Sequence, residues 1–454
     1  MYNSIIEKLK NKNVCILGFG MEGISTYKFI RRHLKDKFIT LIDKKDISNY
    51  EIISGDNNIN IIFGESYLNN LDRYDLIIKS PGISFNNMNI ESFKNKITSQ
   101  LELLLEIFKD NVIGITGTKG KSTTSSLLYK IIKDQKVDTY LLGNISIPIF
   151  DYIEEFNKDT TLVIEMSALQ LEYISVSPHI GVVLNLFEDH LDHSGTVEHY
   201  HENKMNIIKY QDENDIGIYS LDDKNTKIQL NKNKYLTNLY KVTLKNIKDK
   251  NITSLDTYNI IFNEEILCSK NIKRNILGDH NLSNIMFCLT ISKILDLDIE
   301  KVKQSIKEFM PLEHRMELVG TFDGITYYND SIATIPMATI NAIESLKEVD
   351  TLIFGGMDRG IDYSDLINYL CTCNVSNLIC MPTTGYKIGE ELEKLNISKK
   401  IYYIDLLEDA VIKAKQITKK GKICLLSPAA SSYEYFKNFE EKGKMYKEYV
   451  KNTK

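Results

Sequence analysis

The stretch that decides the fold is Val112-Ile-Gly-Ile-Thr-Gly-Thr-Lys-Gly-Lys-Ser-Thr-Thr124. An apolar run typical of a buried strand enters a glycine-containing loop, and a helix predicted over 122–132 leaves it. Backbone N–H groups and a helix N-terminus in such a loop form a cradle for anions. Lys121 adds a positive charge for phosphates, and the Ser122 hydroxyl suits Mg²⁺. The pattern predicts a nucleotide-phosphate site on a strand–loop–helix unit.

The loop departs from the general phosphate-binding pattern GxxxxGK[ST] at one position. Ile115 stands where that pattern has its first glycine. The alternative is a plain strand-to-helix turn that binds no ligand. Such a turn has no need for Gly-Lys-Ser in that order, so the sequence favours the phosphate site.

Polar residues follow two apolar runs downstream of this loop. Glu165 follows the run at 162–164, and Asp189 and His190 follow the run at 181–186. Parallel strands deliver functional groups at their carboxyl ends, and carboxylate and imidazole beside a phosphate loop suit Mg²⁺ that bridges ATP oxygens. Singly, each residue is typical of a surface or helix-capping position. Together, behind a phosphate loop, they predict a metal site.

A second glycine motif, Gly18-Phe-Gly-Met-Glu-Gly23, follows the first apolar run, and Asp43 follows the second. GxGxxG with an acidic residue after the next strand is the dinucleotide fingerprint, so an NAD-dependent oxidoreductase is one alternative. The nucleotide loop farther along the chain weakens that alternative, because a dehydrogenase needs no ATP site. The same geometry can hold another pyrophosphate ligand, with Asp43 near a sugar or base.

Short apolar runs alternate with helical stretches through most of the chain, which predicts an α/β protein with mostly parallel sheets covered on both faces. At roughly 150 residues per domain, a chain of 454 residues suggests three domains. The strand–helix pattern restarts twice, which places them at 1–97, 98–310 and 311–454. The polar stretch 210–273 is the least legible.

Composition argues against several classes of protein. A formal charge of −5 provides no basic field for nucleic acid. Residues 1–13 are charged and carry no apolar run, so no secretory signal is expected. No window approaches the ~18 apolar residues of a membrane span. The seven cysteines include no CxxC pair, which fits a reduced compartment. We expect a cytoplasmic protein without nucleic-acid or membrane partners.

In this order, the motifs resemble the Mur ligases, ATP-dependent ligases of peptidoglycan synthesis. The resemblance covers nearly the whole chain apart from about 210–273, and it implies a Rossmann-like N-terminal domain, a central P-loop ATPase-like domain with a mostly parallel sheet, and a Rossmann-like C-terminal domain. The stretches shared with the wider family are 117–122 (GTKGKS), 143–144 (GN), 185–192 (Asn-x₃-Asp-His-Leu-Asp), 278–284 (GDHNLSN) and 314–315 (HR).

Three further stretches resemble the branch of the family that adds D-glutamate: 165–172 (EMSALQLE), 329–334 (NDSIAT) and 426–432 (LSPAASS), the last followed by FKNF at 436–439. The motifs Asp-Asn-Pro-Arg and His-His-Pro-Thr-Glu of relatives that add other amino acids are absent. The resemblance implies that a monomer joins UDP-N-acetylmuramoyl-L-alanine and D-glutamate through an acyl phosphate. The alternatives are another amino-acid-adding Mur ligase and a non-catalytic nucleotide-binding switch.

The resemblance also implies roles for single residues. Lys121, His190 and Lys204 would be catalytic, and CO₂ would carbamylate Lys204 into an anionic metal ligand, although spacing alone predicts a solvated helix lysine there. Two Mg²⁺ would be held by Ser122, Glu165, His190 and Lys204. The base that deprotonates the glutamate amine stays unassigned. The residues expected to bind ATP are Gly117, Thr118, Lys119, Gly120, Lys121, Ser122, Thr123, Asn144, Asn281, Asn284, Arg315 and Asp330.

The resemblance assigns the other two substrates to the outer domains. The sugar-nucleotide pocket would be lined by Met21, Glu22, Asp43, Lys44, Ser80 and Gly82. D-Glutamate would be placed by Thr334, Arg359, Ser432 and Phe439. Two positions depart from the family. Ile332 stands where many relatives have lysine, so a phosphate contact by that side chain is lost. Arg359 replaces a lysine of some members, and a guanidinium can still bind a carboxylate through two parallel hydrogen bonds.

Overall fold

The computed structural model describes residues 2–85, 88–143, 148–187, 196–358, 361–395 and 397–452. These residues form three β-sheets, and helices connect most of the strands. Parallel pairing predominates, since a helical crossover returns the chain to the same end of a sheet before the next strand begins. The expected α/β class, with three domains built on mostly parallel sheets, is confirmed.

The first sheet consists of β1 (Val14–Leu17), β2 (Ile39–Ile42), β3 (Ile59–Ile62), β4 (Leu76–Lys79) and β5 (Ile97–Thr98). All five strands are parallel, in the order β3-β2-β1-β4-β5. Every residue of β1, β2 and β4 is buried, which explains why these runs are so apolar. Its helices are α1 (Asn3–Lys10) and α2 (Met21–His33).

The second sheet has nine strands: β6 (Val112–Thr116), β7 (Thr139–Gly143), β8 (Thr161–Glu165), β9 (Ile180–Val183), β10 (Ile216–Ser220), β11 (Asn238–Val242), β12 (Ile252–Leu255), β13 (Asn259–Phe262) and β14 (Glu265–Ser269). Their order is β14-β13-β12-β11-β10-β9-β6-β8-β7. The helices in this part of the chain are α3 (Gln100–Phe108), α4 (Lys121–Asp134), α5 (Ala168–Leu171), α6 (Val197–Lys209), α7 (Lys224–Lys232), α8 (Asp279–Ile294) and α9 (Ile299–Glu308).

The polar stretch 210–273 extends this second sheet. It contributes β10 and β11, which continue the parallel part, and the antiparallel strands β12 to β14 at the sheet edge. Burial along β14 is interrupted, with only two of its five residues buried. Strands with one solvated face carry polar residues, which explains why the sequence was hard to interpret here.

The third sheet consists of β15 (Glu317–Phe322), β16 (Ile325–Asn329), β17 (Val349–Phe354), β18 (Asn377–Cys380), β19 (Lys400–Tyr403) and β20 (Ile423–Leu426). The order is β15-β16-β20-β17-β18-β19, and among the described strands of this sheet only the β15–β16 pair is antiparallel. Its helices are α10 (Pro336–Leu346), α11 (Ser364–Thr372), α12 (Thr384–Lys394), α13 (Leu407–Ile417) and α14 (Phe439–Asn452).

The chain divides into two compact units. The first comprises Met1–Lys273 and Ser283–Lys307 and contains the first two sheets, and the second comprises Arg274–Leu282 and Glu308–Lys454 and contains the third. The domain boundaries at 97/98 and 310/311 stay a prediction. No helix in the described part of the chain is long and apolar enough to cross a membrane.

Helix α3 joins the first two sheets within the first unit. Leu103, Leu104 and Leu105 are fully buried on successive faces of the helix, as is typical of a helix surrounded by protein. They share one apolar cluster with Ile16 of the first sheet and Leu162 of the second. This common core gives the first two sheets a continuous apolar contact.

Candidate functional site

The phosphate loop lies between β6 and α4, at the carboxyl end of a central strand. Gly117 and Gly120 have φ values of +155° and +87°, which residues with a Cβ rarely adopt. A side chain at either glycine would also clash with neighbouring atoms. A Cβ on Gly117 would lie 2.9 Å from Cβ of Leu184, and one on Gly120 would lie 2.7 Å from Oδ1 of Asn284. Asn284, predicted to bind ATP, therefore does lie against the loop.

Asn185 holds the loop in shape. Its Oδ1 accepts from the Lys119 backbone N–H at 2.9 Å, and its Nδ2 donates to the Lys119 carbonyl at 3.0 Å. Its own carbonyl accepts from the Thr118 N–H at 3.0 Å. The hydroxyl of Thr118 accepts from the Phe187 N–H at 2.9 Å. Asn185 begins the family motif at 185–192, and no role for it was predicted from the sequence.

Two lysine amines converge on one backbone oxygen of this loop. Lys121 Nζ donates to the carbonyls of Gly117 (2.9 Å) and Thr118 (3.1 Å). Lys204 Nζ, from helix α6, donates to the same Gly117 carbonyl at 3.0 Å and lies 4.7 Å from the ring centre of Tyr200. Lys204 is only 1% exposed, so the solvated lysine predicted from spacing alone is wrong. A buried lysine beside a phosphate loop is suited to chemistry rather than to solvation.

Two of the predicted metal ligands, Glu165 and Ser122, lie beside or within the phosphate loop. Glu165 ends strand β8 and pairs in register with Ile115 of β6, and both Glu165 and Ser122 are buried. A buried carboxylate and hydroxyl next to phosphates suit a hard cation such as Mg²⁺. The described residues contain no group of three His, Cys, Asp or Glu side chains arranged to hold a metal. His190 and Asn144 lie outside the described residues.

Three further ATP candidates, Asn281, Arg315 and Asp330, lie in the second unit. The Nδ2 of Asn281, near the start of α8, donates at 2.7 Å to the carbonyl of Leu277, which precedes the helix. Asp330 follows β16 and accepts from the Ser427 hydroxyl at 2.8 Å and the Met316 N–H at 3.2 Å. For these residues and Arg315, contact with the nucleotide stays a prediction.

The N-terminal glycine loop is built around Gly18, whose φ is +90°. The Ser80 hydroxyl donates to the Gly18 carbonyl at 2.8 Å. Asp43 Oδ2 accepts from the Phe19 N–H at 2.7 Å, and its Oδ1 accepts from the Lys45 N–H at 2.9 Å. A Cβ on Gly23 would come within 2.1 Å of the Gly18 carbonyl oxygen, so helix α2 packs directly on the loop.

These contacts bring three of the predicted sugar-nucleotide residues together. Asp43 and Ser80 fix the shape of the glycine loop, and Glu22 lies in the first turn of α2. Met21 is 64% exposed at the same helix start, and Lys44 forms an exposed ion pair with Glu65 at 3.5 Å. Gly82 is also exposed. Their contact with a ligand stays a prediction.

A buried charged cluster beside that loop was not predicted from the sequence. Lys79, the last residue of β4, lies 3.9 Å from Glu172 and 5.4 Å from the ring centre of Tyr173. Gln170 Nε2 donates to Glu22 Oε1 at 3.1 Å. Burial raises the pKa of Glu22 to about 7 and lowers the pKa of Lys79 to about 8. The segment 165–172 therefore runs from the phosphate loop to the glycine loop.

The predicted amino-acid site lies in the second unit, at the carboxyl ends of β16, β17 and β20. The Ser432 hydroxyl is buried and has no hydrogen-bond partner among the described residues, as expected of a group reserved for a ligand. The Ser331 hydroxyl donates to the Phe439 carbonyl at 2.9 Å, which brings Phe439 close to the segment containing Ile332 and Thr334. Arg359 lies outside the described residues.

The chain matches domain families over most of its length. Residues 12–99 match the Mur ligase MurD-like N-terminal domain, residues 115–292 the Mur ligase middle domain, and residues 314–430 the Mur ligase glutamate ligase domain. The three matches follow the order of the three sheets.

Curated relatives align over nearly the whole chain. A UDP-N-acetylmuramoylalanine--D-glutamate ligase of Clostridium kluyveri is 32% identical, with 97% of each chain covered. Proteins of the same name are 33% identical in Clostridium acetobutylicum, covering 100% of this chain and 99% of the relative, and 34% identical in Clostridium botulinum (strain Langeland), covering 97% of each.

Solved structures share the fold. A MurF ligase from Thermotoga maritima in complex with ADP has a TM-score of 0.61 at 18% identity and covers 99% of this chain and 97% of its own. The UDP-N-acetylmuramate-alanine ligase MurC of the same organism has a TM-score of 0.60 at 17% identity, covering 98% and 100%. At such low identity the likeness extends to the fold alone.

The raised pKa of Glu22 predicts a pH-dependent stability. Between its usual pKa of 4.5 and about 7, the folded protein holds a proton that the unfolded chain has lost, so stability falls as pH rises through that window. Glu22→Gln removes this penalty. We expect urea unfolding at pH 8 to show a free energy of unfolding higher than wild type by at most about 3 kcal/mol, from about 1.4 kcal/mol per pKa unit.

At pH 4 the two proteins should unfold at the same urea concentration, because the carboxyl group is then protonated in both states. A variant that is less stable than wild type at pH 8, or a stability difference that is independent of pH, would contradict a buried carboxyl with a raised pKa.

Proposed function

The chain belongs to the Mur ligase family, and we propose that it joins D-glutamate to UDP-N-acetylmuramoyl-L-alanine with ATP, as a step of peptidoglycan precursor synthesis. The observation that carries this proposal is the full-length similarity to D-glutamate ligases, together with a phosphate loop that gathers Lys121 and Lys204 on the Gly117 carbonyl. Its use of ATP and of a UDP-linked precursor supports a cytoplasmic location. We also propose that it acts as a monomer with domains at 1–97, 98–310 and 311–454.

The first proposed step transfers a phosphoryl group. A carboxylate oxygen of the muramoyl-alanine attacks the γ-phosphorus of ATP in line, the bond to the β–γ bridging oxygen breaks, and ADP leaves. The products are an acyl phosphate and ADP. Lys121 and the loop N–H groups stabilise the negative charge on the transferring group, which is mostly electrostatic work. The Lys121 amine already donates to two loop carbonyls. A rotation of its side chain alone would bring it to a bound phosphate.

Mg²⁺ suits the residues beside this loop. Ser122 and Glu165 would hold one ion, since both side chains are buried, with Ser122 in the phosphate loop and Glu165 paired with Ile115 of the strand that enters it. Lys204 and His190 would serve a second. When bound, Mg²⁺ neutralises charge on the phosphate oxygens.

Carbamylation of Lys204 would explain why a lysine is buried at this position. A neutral amine that captures CO₂ becomes a carbamate, whose oxygens are anionic metal ligands. The Lys204 amine points at the Gly117 carbonyl, so the added group would lie beside the phosphates. A protonated lysine there would repel a metal ion.

The second proposed step forms the amide. The D-glutamate amine, once deprotonated, attacks the activated carbonyl carbon, and inorganic phosphate leaves from the tetrahedral intermediate. Ser432, Thr334, Phe439 and Arg359 would place the amino acid. The supporting observation is the buried Ser432 hydroxyl, which has no hydrogen-bond partner in the part of the chain that the structure describes. Met21, Glu22, Asp43, Lys44, Ser80 and Gly82 would line the sugar-nucleotide pocket.

Lys121→Ala tests the proposed phosphoryl transfer. We expect phosphate release to fall by at least about 100-fold, because one preorganised charge on the transferring group is lost. Phosphate release is measured with ATP, UDP-N-acetylmuramoyl-L-alanine and D-glutamate, each omitted in turn. Lys133→Ala, an exposed lysine at the last turn of the same helix, is the matched control and should retain wild-type turnover. Retained turnover in Lys121→Ala, or steady phosphate release without D-glutamate, would refute the proposal.

Lys204→Ala tests carbamylation separately. We expect activity to be lost and then partly restored by millimolar formate or acetate, because a free carboxylate can replace the missing carbamate as a metal ligand. The exposed Lys209 on the same helix provides the control variant Lys209→Ala, which should be unaffected. An active Lys204→Ala variant would rule out this role for the lysine, and so would an inactive variant that no carboxylic acid restores.

A further inference from the structure

Lys442, on helix α14, is a buried lysine that the proposed mechanism does not use. Its side chain is 1% exposed. Nζ donates to the Gly355 carbonyl at 2.9 Å and lies 5.5 Å from the ring centre of Phe436. Among the described residues, no carboxylate lies within ion-pair distance of this amine. Burial lowers the pKa of Lys442 to about 7.

Fold stability does not account for a lysine at this position. A buried charge without a counter-ion destabilises a protein, and an apolar side chain of similar volume is usually better tolerated. The single hydrogen bond and the aromatic ring offset only part of that cost. Buried, perturbed lysines of this kind concentrate at functional sites.

Lys442 contacts the loop 355–357, which backbone hydrogen bonds hold to neighbouring segments. The Gly355 N–H donates to the Pro428 carbonyl, and the Met357 N–H donates to the Ser431 carbonyl at 2.8 Å. The Thr384 N–H donates to the Gly356 carbonyl at 3.0 Å. A Cβ on Gly356 would lie 2.3 Å from the Ser431 carbonyl oxygen. The loop is thus held directly against the segment that carries the buried Ser432 hydroxyl.

Lys442 adds the connection to helix α14. This helix begins at Phe439, one turn before Lys442, and the Lys442 amine spans from the helix to the loop after β17. Three pieces of the second unit are therefore fixed together: the loop 355–357, the segment 428–432 and the start of α14. When protonated, the amine also carries a positive charge at their junction, and an anionic ligand nearby would favour that protonated form.

We propose that Lys442 is a positioning residue for the acidic amino-acid substrate, holding the loop 355–357 against helix α14 and carrying a positive charge in its protonated form, which an anionic ligand would favour. This inference rests on the proposed function, because it assumes that the amino acid binds in the second unit. The lysine acts through the loop and through its charge, without contact to the reacting atoms.

The test compares three full-length variants. Lys442→Met keeps the volume and removes both the charge and the hydrogen bond, Lys442→Arg keeps both, and Lys444→Met alters an exposed lysine of the same helix. KM values for D-glutamate, ATP and UDP-N-acetylmuramoyl-L-alanine are measured by phosphate release, and thermal melting confirms that each variant is folded.

We expect Lys442→Met to raise the KM for D-glutamate at least tenfold, with the other two KM values within twofold of wild type. Lys442→Arg should recover most of the D-glutamate KM, and Lys444→Met should match wild type. An unchanged D-glutamate KM in Lys442→Met would overturn the proposal, and so would an equal rise in all three KM values. If Lys442→Met fails to fold, the D-glutamate KM of Lys442→Arg alone tests the proposal. A value far above that of wild type would overturn it.

These outcomes are separable from failure of the proposed function. A wild-type enzyme that releases phosphate with a different amino acid in place of D-glutamate would refute the proposed substrate. The KM comparison is then made with that amino acid, and a selective rise in Lys442→Met would still support the positioning role.

Discussion

One backbone oxygen, the carbonyl of Gly117, organises the central site. It accepts hydrogen bonds from Lys121 of helix α4 and Lys204 of helix α6, at 2.9 and 3.0 Å. These helices are far apart in sequence, and the loop after β6 is where their amines meet. The positive φ of Gly117 and the closeness of Leu184 leave no room for a side chain there. Phosphate chemistry in this chain therefore depends on a glycine as much as on the lysines.

A glycine with a positive φ also follows a central strand in each of the other two sheets. Gly18 follows β1 and Gly355 follows β17, with φ values of +90° and +122°. In each sheet the strand before the glycine has neighbours on both sides, and the chain crosses from one side of it to the other. Ligands bind at such switch points, outside the carboxyl ends of the strands. The three proposed substrate sites therefore stand on three equivalent positions of related sheets.

Structure was predictable from the sequence where a local pattern of residues determines it. The apolar runs that became β1, β2, β4 and β6 are buried on both faces, so their composition alone identifies them. The order Gly-Lys-Ser predicted the loop at 117–122 between a strand and a helix, and the loop lies there, between β6 and α4. The antiparallel strands β12 to β14 gave no such signal, because their residues are more polar or less completely buried, and three of the five residues of the edge strand β14 are exposed.

Some residues owe their roles to tertiary contacts, so these roles could not be predicted from the sequence. Asn185, Lys79 and Lys442 are common residue types with no distinguishing spacing, and each gains its role from a partner distant in the chain. Asn185 bonds to Lys119, Lys79 lies near Glu172, and Lys442 bonds to Gly355. Lys204 shows the opposite error, because its place on a helix predicted exposure whereas packing buries it.

The central claim is that the chain activates a carboxylate as an acyl phosphate at the loop of Gly117. Its most direct test uses UDP-N-acetylmuramoyl-L-alanine labelled with ¹⁸O in the alanine carboxylate, incubated with ATP and D-glutamate. An acyl phosphate transfers one carboxylate oxygen to phosphate, so each molecule of inorganic phosphate formed should carry one ¹⁸O by mass spectrometry. Amide product formed together with unlabelled phosphate would contradict the account.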